Sequence, residues 1–210
     1  MKGLLFITHS TQGYGYLDGA EAVLKGGCRS IQLRMKDVPE TEVLETARTL
    51  KVMCDDYGAE LYIDDHVAVA VEVGAKGVHL GKNDMAPAQA RNMMGRGFVI
   101  GGTANTFEDI VRLNDQRVDY IGLGPFRFTE TKKNLSPILG LEGYERIIAQ
   151  CREAGIDLPV VAIGGITADD IPAILNTGVS AIALSSTILG AADPVAETRK
   201  IIEIINNCKR

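Results

Sequence analysis

Short apolar, β-branched runs alternate along this chain with stretches in which apolar residues recur every three to four positions. The runs at 4–8, 30–35, 60–64, 77–80, 98–101, 120–124, 159–163 and 181–184 are strand-length and predict eight strands. Each leads into a helical pattern, beginning near Leu17, Glu40, Val67, Pro87, Phe107, Leu141, Ala168 and Pro194. Several starts carry capping chemistry, as with Thr106 before Phe107 and the segment from Asp84 to Pro87. The last helix, AETRKIIEIINNC, is amphipathic throughout.

The alternation recurs without a break in composition, so residues 1–210 read as one domain. The strands are apolar on both faces, which is the pattern of a parallel sheet covered by helices. Eight βα units of this size predict a closed (β/α)8 TIM barrel in the α/β class. The competing architecture is an open, doubly wound sheet. Against it, the first βα turn, HSTQGYGYLDG, has no GxGxxG, and closure gives the eighth strand, IALSS, a neighbour on each side. A barrel of this kind carries its chemistry at the C-terminal ends of its strands.

Composition narrows the function. Hydrophobic residues make up 46% and charged residues 23%, enough to bury a sizeable core. The net charge of −5 is spread without a Lys/Arg block, which argues against nucleic-acid and anionic-membrane partners and for small-molecule substrates. The longest apolar runs, such as 67–71 and 159–163, are far below the roughly 20 residues a membrane helix requires. The start, MKGLLFITHS, is too short in apolar residues for an export signal, so a cytoplasmic protein is expected. The four cysteines, Cys28, Cys54, Cys151 and Cys208, form no CxxC pair and read as reduced structural thiols. Nothing in the pattern specifies an oligomer.

At the strand ends the second strand places Gln32, Arg34 and Lys36 on one face, with Ile31, Leu33 and Met35 on the other. The apolar face belongs to the helices, so the two cations point into the barrel. There they meet either inner carboxylates or a bound anion. The third strand ends in Asp64-Asp65-His66, and the fourth leads through His79-Leu80-Gly81 to Asp84. Any one Asp here reads most simply as a turn former or helix cap. Two on adjacent strand ends, beside Arg34 and Lys36, point instead to Mg2+ held by Asp65 and Asp84 and facing a diphosphate.

The polar loop after Gly122-Leu123-Gly124-Pro125 contains Thr129-Glu130-Thr131-Lys132, donors suited to phosphate oxygens. Ile163-Gly164-Gly165-Ile166 and Ser185-Ser186 stand where barrels commonly bind phosphate. Thr103 and Asn105 end the fifth strand with hydroxyl and amide groups. His9, His66 and His79 show no metal-ligand spacing and read as structural or supporting groups.

These motifs together resemble the thiamin-phosphate synthase (thiamin-phosphate pyrophosphorylase) family over essentially the whole length. QLRMK resembles its Q-x-R-x-K, IDD its strand-three N-D and GVHLGKND its G-V-H-L-G-x-x-D. DYIGLGPFRFTETKK resembles D-Y-x-G-x-G-P-x-x-x-T-x-T-K, and VVAIGGI with ALSS resembles the last two phosphate-binding ends. The resemblance implies transfer of a hydroxymethylpyrimidine group from its diphosphate to the nitrogen of a (carboxy)thiazole phosphate, dependent on Mg2+ and passing through a pyrimidine cation.

By position it also implies roles. Gln32, Arg34, Lys36, Asp64, Thr103 and Lys132 would surround the pyrimidine diphosphate, with Arg34, Lys36 and Lys132 acting on the leaving group. Asp65 and Asp84 would hold Mg2+, while Thr129, Thr131, Gly165, Ser185 and Ser186 would hold the thiazole phosphate. The chain departs from the family at Asp64 (usually Asn), Lys82 and Asn83 (commonly Gln-Glu), Thr103 (usually Ser) and Asn105 (often His). These bear on pyrimidine recognition rather than on the reaction.

Asp64 and Lys82 are expected to form a compensating ion pair; alternatively, Lys82 is solvated and Asp64 is a hydrogen-bonded acceptor. The rival activities are a related thiazole tautomerase and a non-catalytic phosphate-binding barrel. Pro125 and the retained aspartates argue against the first, and the complete diphosphate set against the second.

Overall fold

The computed structural model describes residues 2–128 and 137–208. Its strands are β1 (Gly3–Ile7), β2 (Ser30–Leu33), β3 (Glu60–Asp64), β4 (Gly77–Leu80), β5 (Val99–Ala104), β6 (Tyr120–Leu123), β7 (Val160–Ile163) and β8 (Ala181–Leu184). Each pairs in parallel with the next, and β8 returns to β1 through Gly3↔Ala181 to Phe6↔Leu184, so the sheet closes into a barrel. Around it lie α1 (Tyr16–Lys25), α2 (Glu40–Asp56), α3 (Val67–Glu72), α4 (Pro87–Met94), α5 (Phe107–Asp115), α6 (Gly140–Glu153), α7 (Ile171–Asn176), α8 (Ser186–Leu189) and α9 (Pro194–Asn207).

The period-2 alternation divides the core in two. Ile31, Leu33, Leu61, Ile63, Val78, Leu80, Ile121 and Ile182 face outward into the layer shared with the helices. Leu5, Ile7, Tyr62, Tyr120, Val161, Ala181 and Ala183 fill the barrel itself. The two interior tyrosines meet edge to face, with ring centroids 6.2 Å apart. Small residues make room for them: a Cβ on Gly101 would lie 2.1 Å from Cζ of Tyr120. The filled interior leaves the C-terminal mouth as the place for ligands.

Element boundaries differ from the expected ones where glycine or proline misled the pattern. β5 runs on through Gly101-Gly102 to Ala104, because its ladder to β6 continues to Ala104↔Leu123. β7 begins after Pro159, which has no N–H to give a ladder. β2 ends at Leu33, so Arg34 and Lys36 lie just past the strand, at the rim. A 3-10 turn at Ala168–Asp170 precedes α7, and the short α8 follows β8 directly; neither was expected. The α5 start matches its sequence: Thr106 accepts from Asp109 N–H, and Asp109 closes a capping box.

All four cysteines are free, and three are buried. Among the described residues no helix is long and apolar enough to cross a membrane.

Candidate active site

The β2, β3 and β4 ends converge on one charged cluster. Gln32, buried, donates through Nε2 to Oδ1 of Asp64 at 2.7 Å. The other Asp64 oxygen lies 3.3 Å from Lys36 Nζ and 3.6 Å from Arg34 Nε. Lys36 also bonds Asp65. The inward cations are therefore satisfied by carboxylates of the next strand, as one of the two sequence readings allowed. Burial pushes the Asp64 carboxyl above the ordinary range against the pull of Lys36 and Arg34. For Lys36, burial works to lower the pKa, but the charges of Asp64 and Asp65 outweigh it and raise it.

Asp65 sits in the left-handed region at φ 64°, and its N–H donates to His79 O at 2.9 Å. That turn brings its carboxylate close enough to Asp84 to raise the pKa of that group. Asp84 is itself held by Gly81 N–H at 2.7 Å. Burial first, then the Asp65 carboxylate, raises the Asp84 pKa. Two like charges pressed together in this way can hold a divalent cation, which turns their repulsion into attraction. Among the described residues no three His, Cys, Asp or Glu side chains converge as a full ligand set. The pair suits a hard ion that takes its remaining oxygens from water and substrate.

The Lys82–Asp64 pair is corrected by the structure, as is a solvated Lys82. Lys82 Nζ lies 2.5 Å from the buried Asp109 of α5, while Asp64 is the acceptor between Gln32, Arg34 and Lys36. Burial works to raise the Asp109 pKa; Lys82, the Asn105 N–H and Arg112 outweigh it and hold the carboxyl low. Lys82 thus ties the β4–α4 loop to the start of α5. Asn105 is buried and donates to Gly124 O at 2.5 Å, bracing the neighbouring strand end.

On the opposite side, Gly165 has φ 66°, and a Cβ there would lie 2.6 Å from Phe128 O. Only glycine fits this close crossing of two loops. Arg127 clamps the same crossing: it donates to Gly165 O and, through both Nη atoms, to Asp170, each at 2.8 Å. The guanidinium brings the Asp170 carboxyl down to about 2. Thr187 Oγ1 donates to Ile166 O at 2.6 Å, joining the β7 and β8 ends. Ser185 Oγ is buried and has no hydrogen-bond partner among the described residues, an orphan that a phosphate oxygen would satisfy; Ser186, beside it, opens α8. Thr129, Thr131 and Lys132 lie outside the described residues.

His79, expected as a structural or supporting group, makes contacts of that kind. Its ring lies inside the mouth, Nε2 2.9 Å from Thr103 Oγ1 and Nδ1 3.1 Å from the Tyr120 hydroxyl. A Cβ on Gly122 would meet its Cε1 at 2.8 Å, so the glycine before Leu123 is a notch for the imidazole. The signal was present in the inward parity of residues 79, 101, 103, 120 and 122, but was not read as one set.

Comparison with known proteins agrees with this architecture. A family model described as thiamine monophosphate synthase matches residues 4–188. The thiamine-phosphate synthase of Phocaeicola vulgatus is 59% identical over 201 residues, covering 96% of this chain and 97% of its own. That of Bacteroides thetaiotaomicron is 59% identical over 204 residues, covering 97% and 98%. The solved thiamine phosphate pyrophosphorylase from Pyrococcus furiosus superposes with a TM-score of 0.85 at 30% identity, covering 99% of this chain and 96% of its own. With so long a match to the family model and relatives this similar end to end, the chain belongs to the thiamine monophosphate synthase family of transferases.

Proposed function

We propose that this enzyme transfers a hydroxymethylpyrimidine group from its diphosphate to the ring nitrogen of a (carboxy)thiazole phosphate, giving thiamin phosphate and pyrophosphate with Mg2+ as cofactor. The observation that carries the reading is the gathering of the Asp65 and Asp84 carboxylates, near enough to interact, beside Lys36 and Arg34. Two carboxylates and two cations at one rim complement a metal-bound diphosphate, and the all-oxygen pair favours a hard ion. When bound there, Mg2+ would neutralise charge on the departing pyrophosphate.

The protein's own groups do the rest. Arg34 and Lys36 would stabilise the charge gathering on the leaving group, already in place at the rim rather than recruited during reaction. Lys132 would act on the same group, and Thr103 would lie beside it. The orphan Ser185 hydroxyl, Ser186 and the Gly165 turn would receive the thiazole phosphate, with Thr129 and Thr131 completing that subsite. No protein nucleophile is required, since the diphosphate leaves a stabilised pyrimidine cation.

The test is incubation with pyrimidine diphosphate, carboxythiazole phosphate and Mg2+, following pyrophosphate. Release dependent on all three is expected. Release no greater than background, with a changed thiazole phosphate isomer instead, would replace this reading with an isomerase.

A further inference from the structure

The barrel mouth holds three side chains in series: the Tyr120 hydroxyl, the His79 imidazole and the Thr103 hydroxyl, at 3.1 and 2.9 Å. We propose that Tyr120 and His79 are positioning residues that fix the direction in which Thr103 donates, turning its O–H toward the phosphate oxygens of the pyrimidine diphosphate. The proposal rests on the reading that Thr103 faces that substrate.

Proton count sets the direction of this chain. Tyr120 is 1% exposed, its ring packed between Tyr62 and His79. Burial keeps the phenol protonated. A buried O–H left without an acceptor costs about 1–3 kcal/mol. Among the described residues the acceptor within reach is His79 Nδ1. An imidazole that accepts at Nδ1 carries its proton on Nε2. That N–H then donates to Thr103 Oγ1, so the threonine's single proton must go elsewhere. Among the described residues it meets no acceptor, and Thr103 stands on the inward face near the end of β5.

The reverse order fails on two counts. With Thr103 donating to Nε2 and Nδ1–H donating to Tyr120, the phenol proton would be stranded in the core. The threonine would also present lone pairs to an anion.

The backbone enforces the arrangement. Gly101 and Gly122 are the notches in which the two rings lie, and a Cβ at either would collide with them at 2.1 and 2.8 Å. The imidazole is also anchored through its own backbone, since His79 O accepts from Asp65 N–H. The same residue thereby places a proposed metal ligand with its main chain and a proposed phosphate donor with its side chain.

The test combines a spectrum with an affinity. In 15N-histidine-labelled protein, two-bond 15N–1H correlations read the tautomer of His79. The Nε2–H form is expected in the wild type, and finding Nδ1–H would overturn the proposal without any variant. Tyr120→Phe keeps the ring and loses only the donor; it should release the tautomer into a mixture. It should also raise the Kd for pyrimidine diphosphate with Mg2+ about tenfold, the loss of one oriented hydrogen bond to a charged group, while leaving thiazole phosphate binding unchanged.

In a Thr103→Val background the same change should add nothing. If Thr103→Val alone leaves the Kd unaltered, Thr103 does not face the substrate, and the proposal falls with that reading. If Thr103→Val weakens binding but Tyr120→Phe leaves either the tautomer or the Kd as in the wild type, the relay alone is wrong.

Discussion

Replacing Asp64 with asparagine tests whether the buried carboxylate holds the mouth together or strains it. At an effective dielectric of about 20, a unit pair at the 3.3 Å separation from Lys36 or the 3.6 Å from Arg34 amounts to about 5 kcal/mol before screening. Lys36 is 41% and Arg34 20% exposed, so water reduces each to about 1–2 kcal/mol. Taking the carboxylate out of water costs several kcal/mol. The raised Asp64 pKa shows which effect wins: the cost of burial outweighs the pull of the two cations, so the fold favours the charged form less than water does.

Asparagine removes the buried charge, and its Oδ1 can still accept from Gln32. Stability in urea should therefore change by no more than about 1 kcal/mol, not the roughly 3–5 kcal/mol of a broken buried pair. Freed from an internal competitor, Arg34 and Lys36 should bind Mg2+-pyrophosphate about tenfold more tightly by calorimetry. A stability loss of about 3 kcal/mol or more, or weaker pyrophosphate binding, would mean that Asp64 is a structural clamp and that the desolvation argument is wrong.

Lys82→Gln and Asp64→Asn should act additively on the KM for pyrimidine diphosphate, whereas Lys82→Gln and Asp109→Asn should show coupling in urea unfolding; the opposite pattern would restore a Lys82–Asp64 pair. Asp170→Asn should cost about 1 kcal/mol at neutral pH, given its half-exposed Arg127 partner. Because the folded pKa lies at about 2, below the ordinary 3.8, that contribution is present above 3.8 and fades as pH falls through about 2; a difference between wild type and variant that does not shrink in this window refutes the pairing. Gly101→Ala should destabilise by about 3 kcal/mol, since its Cβ meets the fixed Tyr120 ring; thermal unfolding close to wild type would show that the ring can move.

Periodicity alone determined the eightfold βα alternation, because a residue's burial within a strand or helix depends on its own spacing. Counting inward positions from Ile31 also located Gln32, Arg34 and Lys36, and the strand-end rule located Asp64, Asp65, Asp84 and Gly165. The boundaries of β5 and β7 were not legible, since whether Gly101-Gly102 continues a strand depends on the ladder to β6.

Partner choice belonged to the tertiary structure. Lys82 reaches Asp109 rather than Asp64, although either carboxylate would satisfy its charge; the α5 capping box places Asp109 at its loop. His79 could be read only as a structural or supporting group, because nothing near it in sequence names what it supports. Its partners lie 24 and 41 residues away and meet it only through barrel closure, strand register and the two glycine notches. Local pattern specifies which face a side chain takes, while the identity of the group across the barrel depends on how the strands are staggered, which no single segment encodes.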